Sequence, residues 1–554
     1  MTLQERVQAK AFERRWIILA VLCFGLLVIV LDNSILNVAI PTLVDELHAT
    51  NSQIQWIVDA YTLVFAGLLL TMGSLGDRYG RRGALQAGFV VFGLGSLASA
   101  LASTSHQLIA TRAFMGIGGA LIMPATLSII TNVFPANERG RAIGFWAGTA
   151  GIGAALGPLT GGFLVEHFYW GSVFLVNLPI VTIGLLAGIF LIPTSKDPST
   201  PRLDPFGAAL SIAGLCSLLY GIIEAPTDGW GDSTILVAFA VAFVLLGTFI
   251  WWERHIDHPM LDVRFFRNPR FTAASSGITL IFFALFGTIF LLTQYLQFTL
   301  GYSPLQTGVR LLPFALTMLV FSPLSARVVD RFGTKLTVTA GLGIATVALV
   351  LTAGLSATSS YGAISIRFFL LGLGMGLTMA PATDSVMGSL PLAKAGVGSA
   401  VNDTTRQVGG AMGVAVLGSV LASVYGTKVA NWFSGKPAQL QSGKVVAKSG
   451  LGNALAVASK VQSQVKAGKL PAQAGALAND LVHTANTAFV QAMHAGVLVA
   501  AGATFLGAIV VFLWLPARAR ESDSSVQAAE YAAEHAGDVG IPAEDLEPQP
   551  VGDV

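Results

Sequence analysis

Apolar residues run along this chain in long unbroken stretches, and charged residues gather in short clusters between them. A stretch of about 20 apolar residues, rising roughly 1.5 Å per residue as a helix, crosses the hydrocarbon of a bilayer. Such stretches occur at 16–39, 54–75, 84–103, 107–132, 141–164, 170–192, 205–224, 234–252, 272–297, 306–325, 336–355, 361–388, 398–424 and 489–515. The pattern lacks the alternation of a barrel strand, and a helix satisfies its own backbone in lipid. It therefore predicts an all-α polytopic membrane protein with 14 transmembrane helices.

The polar clusters predict orientation, because Lys and Arg collect on the cytoplasmic side. The connections after even-numbered spans carry Arg78, Arg81 and Arg82; Arg139 and Arg141; Lys196 and Arg202; Arg254, Arg264, Arg267 and Arg270; Arg327, Arg331 and Lys335; and Lys394. The short opposite loops at 40–53, 104–106, 165–169, 225–233, 298–305 and 356–360 carry neither Lys nor Arg. Arg6, Lys10, Arg14, Arg15, Arg518 and Arg520 put both termini on the cytoplasmic side. One outward loop, 425–488, is rich in Ala, Gly, Ser and Lys instead. Leu451–Val465 and Ala472–His483 are weakly amphipathic there, so the loop reads either as a helical hairpin over the outer mouth or as a mobile linker. Beyond Arg520 the chain is acidic, without Lys or Arg, and is expected to be disordered.

Composition narrows the class. The chain is 53% hydrophobic and 11% charged, with mean hydropathy +0.69, whereas soluble domains carry about 25% charged residues. Cys23 and Cys216 both lie in apolar stretches, without metal-ligand spacing, and no disulfide is expected. The first apolar run is too long for a cleavable signal. No nucleic-acid footprint, catalytic constellation or phosphate-binding Gly-x-x-x-x-Gly-Lys-Ser/Thr loop appears, which disfavours an enzyme or an ATP-driven pump. No cofactor or metal is expected.

The informative polar residues are those inside the apolar runs. Asp32 sits within Leu31–Pro41, at membrane depth, about 25 Å past Arg15 by helical rise. A carboxylate there costs roughly 2.5–3.5 kcal/mol on insertion scales and is expected to serve a task. Desolvation favours its neutral form, so it is a candidate proton carrier; with Asn33, Ser34 and Asn37 it also fits a purely structural polar seam. Asp59, Glu224, Asp384 and Asp403 are further acids within or at the edge of spans, and Arg112, Arg367 and Arg406 share that environment. Such residues face the bundle interior and pair. Asp59 fits either an aqueous mouth shared with Asp32 or a solvated interface, and Glu224 reads as interfacial. Asp384 and Asp403 are candidates for a second titratable or cation-contacting site. Trp56, Tyr61, Phe290, Gln294, Tyr295 and Met379 are candidate cleft walls or ordinary packing.

Two loops repeat a pattern. Gly73-Ser74-Leu75-Gly76-Asp77-Arg78-Tyr79-Gly80-Arg81-Arg82 follows span 2, and Val329-Asp330-Arg331-Phe332-Gly333-Thr334-Lys335 follows span 10. Asp-Arg-aromatic-Gly-x-basic on the same face of the membrane predicts two parallel halves. The expected organisation is a cytoplasmic segment at 1–15, a six-helix bundle at 16–192, two inserted helices with a linker at 193–271, a second six-helix bundle at 272–515, and a tail at 516–554.

These motifs together resemble the major facilitator superfamily, and within it the fourteen-helix drug:proton antiporter family. The first loop matches the superfamily's cytoplasmic signature in Gly73, Asp77, Arg78, Gly80 and Arg81, which implies a latch on the cytoplasmic gate. Leu31–Pro41 resembles the family's first-helix motif. Arg112 to Ala120 resembles its fourth-helix motif, which implies a role for Arg112 in proton transfer. Gly148, Gly151, Gly153, Gly157, Pro158, Gly161 and Gly162 resemble its antiporter motif, where Gly and Pro make a hinge. Val401 to Gly413 resembles the penultimate helix. Trp170-Gly171-Ser172 departs from the family's bulkier, basic pattern, and span 10 carries no acid.

The resemblance implies a proton-coupled exporter of lipophilic, cationic or zwitterionic molecules in a bacterial inner membrane, acting as a monomer. Asp32, Arg112 and Asp59 would couple protons, and Asp384, Asp403, Glu224 and Arg406 would meet cargo. A dedicated exporter of one natural product or lipid, and a non-transporting sensor on the same scaffold, are the alternatives.

Overall fold

The computed structural model describes residues 12–47, 51–196, 204–434, 443–467 and 470–517. The expectations for residues 1–11 and for the acidic tail from 518 lie outside the described residues. Among the described residues, fourteen helices are long and apolar enough to cross a membrane. They are α1 (Arg15–Leu47), α2 (Asn51–Tyr79), α3 (Arg81–Ala100), α4 (Ser105–Val133), α5 (Ala136–His167), α6 (Asn177–Leu191, preceded by the single turn Ser172–Leu175), α7 (Pro205–Asp228), α8 (Ser233–Glu253), α9 (Pro269–Gln294), α10 (Leu312–Phe332), α11 (Thr334–Thr352), α12 (Tyr361–Met387), α13 (Ala395–Phe433) and α14 (Ala472–Trp514). No strand occurs among the described residues. The chain is an integral membrane protein.

Local chemistry starts and stops these helices. Side chains of Thr104, Asp204, Asn268 and Ser360 accept from the first free backbone N–H groups of α4, α7, α9 and α12, which have no partner inside the helix. Pro205 and Pro269 open α7 and α9, where the missing N–H costs nothing. The repeated loop is built the same way twice. Gly80 at φ 115° ends α2 and starts α3, and Gly333 at φ 81° ends α10 and starts α11. Gly80 N–H donates to Gly76 O at 3.0 Å, and Gly333 N–H to Val329 O at 2.7 Å. Arg78 and Arg331 lie over the rings of Tyr79 and Phe332 at 5.5 and 5.6 Å. Only glycine adopts this backbone without strain, so the repeat seen in sequence is a repeated backbone turn.

In the first half α1 packs on α5 and α6, while α2 and α3 pack on α4. In the second half α9 packs on α13 and α14, α11 on α12 and α14, and α10 on α12. The halves meet where α5 lies along α10 and where α2 and α4 meet α13. Glycines on two faces of α5 let it lie close to α10 across the seam and to α1 within the first half. A Cβ at Gly144 would lie 2.6 Å from Pro323 Cα, and one at Gly157 would lie 2.2 Å from Ser34 Cβ of α1. Gly153 meets Val30, Pro158 meets Gly308 of the turn before α10, and Gly161 is buried. α7 packs between α2 and α13, with α8 outside it.

Helices α13 and α14 overshoot the hydrocarbon. α14 has 43 residues, about 65 Å at 1.5 Å per residue. The described residues of 425–488 are therefore largely helix, and Ala472–His483 runs without a break into the last span. Leu451–Lys466 packs against α14, and its Leu451, Ala454 and Ala458 are buried. Trp432 Nε1 donates to Asp480 Oδ2 at 2.7 Å, and Tyr425 Oη to Ala447 O at 3.1 Å. A helical cap, the first of the two readings above, stands at the end of the bundle opposite the arginine-rich loops.

Candidate functional site

Asp32 and Arg112 are both fully buried and form an ion pair, Arg112 Nη1 donating to Asp32 Oδ2. The elements explain the meeting. α1 rises from the basic end and α4 descends from the opposite end, so both residues reach the same level beyond the midplane. Asn177 of α6 donates from Nδ2 to Asp32 Oδ1 at 2.8 Å, and the same nitrogen lies 2.9 Å from Ser96 Oγ of α3. Arg112 Nε donates to Ile57 O of α2 at 3.2 Å, and its guanidinium sits 4.4 Å from the Tyr61 ring centroid. Five helices thus converge on one carboxylate.

The electrostatics follow from burial. An unpaired charge in this environment is costly, and the pair is tolerated because each charge balances the other. Removing either charge would strand the other in the interior, so the pair ties the packing of α1 to that of α4. Arg112 Nη2 has no hydrogen-bond partner among the described residues.

At the basic end Asp77 crosses the seam. It accepts from Arg81 Nε at 2.8 Å and from the Gly396 and Val397 backbone N–H groups at 2.9 and 3.1 Å. Those two donors are the free N–H groups at the start of α13, which favour an anion. Arg81 Nη2 donates to Leu392 O and Ala393 O at 2.8 and 2.9 Å. Gly73 is needed there, because a Cβ would sit 2.6 Å from Gly396 O. The degenerate copy does no such thing: Asp330 is exposed.

Asp403 and Arg406 form a second buried pair on α13, at 3.5 Å, with Arg406 Nη2 donating to Thr383 Oγ1 at 2.8 Å. Asp403 lies eight residues into α13, about 12 Å from the basic end, so the two pairs lie on opposite sides of the midplane. Asp384 is not beside them. It is one turn from the end of α12, partly exposed, and pairs across the seam with Arg139 of α5 at 3.2 Å. Asp59 of α2 and Glu224 of α7 lie near each other across the contact of those helices, with Trp56 and Tyr220 in ring contact at 6.2 Å one turn away. Arg367 is tied to the Leu351 and Ala363 carbonyls rather than to an acid. Of the candidate walls, Tyr295 is buried with its hydroxyl on Ser356 O, Met379 is buried, Phe290 is exposed, and Gln294 donates to Phe290 O.

Sequence reading missed Asn177, Ser96 and the pairing of Arg15 with Glu138 at 2.7 Å. A lone amide in the 15-residue apolar run of α6 was the available signal for Asn177.

A family model, Major Facilitator Superfamily, matches residues 22–414. The chain belongs to the major facilitator superfamily. As a member of this non-enzymatic class it is a membrane transporter. It is 35% identical over 502 residues to the multidrug efflux pump LfrA of Mycolicibacterium smegmatis, covering 90% of this chain and 96% of that one. It is 32% identical over 498 residues to the tetracenomycin C resistance and export protein of Streptomyces glaucescens, covering 90% and 91%. The methyl viologen resistance protein SmvA of Salmonella typhimurium is 33% identical over 466 residues, covering 81% of this chain and 90% of that one. Among solved structures, the human organic anion transporter MFSD10 matches with a TM-score of 0.55 at 14% identity, over 92% of this chain and all of that one. A bacterial homologue of the lysosomal transporter Spinster matches with a TM-score of 0.54 at 18% identity, over 92% and 99%. These two carry the superfamily fold; the drug-efflux character of the relatives bears out the family resemblance.

Proposed function

We propose that this transporter exports lipophilic small molecules, cations among them, in exchange for inward-moving protons, in a bacterial cytoplasmic membrane with both termini inside. The observation that carries the reading is the buried Asp32, held by Arg112 and Asn177. A proton on Asp32 releases Arg112 and loosens α1 against α4 and α6. Loss of the proton to the other side restores the pair. Cargo and proton bias the same rocking equilibrium towards opposite openings, which is sufficient for antiport.

The arginine-rich end is the cytoplasmic one on the positive-inside rule, so the Asp77 contact to α13 acts as the cytoplasmic latch. Asp59, Glu224, Trp56 and Tyr220 offer a cation carboxylates and aromatic faces at the outer level. The proton gradient is the energy source, no cofactor takes part, and a monomer suffices. A narrower reading, a dedicated exporter of one natural product, is favoured by relatives named for tetracenomycin C and methylenomycin A resistance.

Ethidium uptake by cells with and without the protein tests the reading. Expression is expected to lower accumulation, and an uncoupler to restore it. Equal accumulation across a panel of lipophilic cations and neutral antibiotics would overturn it.

A further inference from the structure

The helical cap carries charge that the transport cycle leaves unused. The short loops at its end of the bundle have neither Lys nor Arg, yet 425–488 holds seven lysines against one acid, Asp480. That acid is already engaged by Trp432. The base of the cap is the helical turn Lys444–Lys448. Tyr425 of α13 donates to Ala447 O at 3.1 Å, and the Lys448 stem lies beside Gly426, where a Cβ would sit 3.3 Å from its Cγ and Cε. Gly452 follows against the Phe298 ring beyond α9, 3.2 Å from a Cβ built there. Helical rise fixes the level. Tyr425 stands roughly 45 Å from the start of α13 at the basic end, and Phe298 roughly 44 Å from the start of α9. A bilayer with its headgroups is about 40–45 Å thick. Two helices thus place this turn among the headgroups of the leaflet beneath the cap.

The side chains of the turn suit that level. Val445 and Val446 are 78% and 49% exposed, and apolar side chains so placed gain free energy by leaving water. Lys444 and Lys448 flank them one turn apart, and neither has an acidic partner among the described residues. A lysine can lay its stem along apolar surface and keep its ammonium at the polar boundary. Valines that dip below the phosphates, with ammonium groups level with them, are the pairing that holds an amphipathic segment at an interface. Lys460 and Lys466, exposed farther out on Leu451–Lys466, add to the positive field. The complementary surface is negative and carries an apolar layer just beneath its charge, which describes an anionic phospholipid leaflet.

We propose that Lys444–Lys448 is a membrane-surface anchor, in which Val445 and Val446 enter the leaflet beneath the cap and Lys444 and Lys448 bind the phosphates of anionic phospholipids. The anchor pins the base of the cap to the bilayer and makes its position depend on headgroup charge. It needs neither cargo nor proton, so it stands or falls apart from the exporter reading.

Power-saturation EPR on the full-length protein in nanodiscs tests it, with a nitroxide on Val445→Cys and Cys23 and Cys216 replaced by Ser. Oxygen concentrates in the bilayer and nickel-EDDA stays in water, so the two relaxants report depth. In phosphatidylglycerol nanodiscs the label is expected to be shielded from nickel-EDDA and reached by oxygen. A label on Ser463→Cys, exposed farther out on the cap, is expected to behave in the opposite way. Lys444→Gln with Lys448→Gln is expected to lower the ratio of docked to undocked turns roughly 30-fold, the scale for two lysines at an anionic surface. A label at 445 as open to nickel-EDDA as the one at 463 would overturn the proposal. Equal shielding in phosphatidylcholine and phosphatidylglycerol would overturn it too, with one protein in both lipids and no question of misfolding. A label at 445 that stays in water in phosphatidylglycerol and is immobilised by soluble polyphosphate would make the partner a free polyanion, and would also overturn it.

Discussion

Replacing Asp77 by Asn removes the charge that joins α2 to the start of α13. The structure gives the scale of the loss. Two backbone donors of the second half reach the carboxylate at 2.9 and 3.1 Å, and the same carboxylate holds Arg81 at 2.8 Å so that it can donate across the seam to Leu392 O and Ala393 O. A hydrogen bond to a charged group contributes about 1.5–3 kcal/mol. Asn keeps one carbonyl oxygen and turns an amide donor towards the other N–H, so the equivalent of one or two such bonds goes, about 3 kcal/mol in all. That corresponds to roughly a 100-fold change in the ratio of closed to open basic ends. Spin labels at Tyr79 and Leu392, both exposed, in a protein with Cys23 and Cys216 replaced by Ser, would report the change as a distance distribution. Wild type is expected to show one short population and Asp77→Asn a dominant longer one. Identical distributions would refute the latch argument.

Two further outcomes follow from backbone geometry. Gly80→Ala and Gly333→Ala each force a side chain into a left-handed turn, at about 1–2 kcal/mol, and both are expected to lower the melting temperature while Gly83→Ala, with nothing within 4 Å of its Cβ position, does not. Gly157→Val is expected to abolish transport of ethidium in vesicles, because even its Cβ would lie 2.2 Å from Ser34 Cβ; Gly247→Ala, with open space around it, serves as the control that should transport normally.

The architecture was legible because lipid leaves few choices. A run of 20 apolar residues between arginine clusters has one economical conformation, and every predicted span falls on a helix, though α13 and α14 run well beyond the predicted 398–424 and 489–515. The repeat was legible for a backbone reason, since Asp-Arg-aromatic-Gly encodes a turn that only Gly80 and Gly333 can make. Partners were harder to read. Asp32 and Arg112 stood out as charges in apolar runs, but Asn177 and Ser96 look like ordinary residues until five helices bring them to Asp32. Asp384 was misleading in the opposite sense. An acid near an apolar run drew attention to the core, whereas α12 ends one turn later and puts it against Arg139 at the basic end. The lengths of α13 and α14 were hidden because Ala, Gly, Ser and Lys in 425–488 carry little apolar period, and helix there is held by packing and by contacts such as Trp432 with Asp480.

The central claim is that Asp32 carries the proton that drives export. Asp32→Asn in proteoliposomes with an imposed pH gradient tests it most directly, alongside substrate counterflow without a gradient. The account predicts counterflow without gradient-driven accumulation, because the amide matches the carboxylate in shape and can still accept from Asn177 Nδ2 but cannot exchange a proton. Accumulation at the wild-type level in that variant would contradict it.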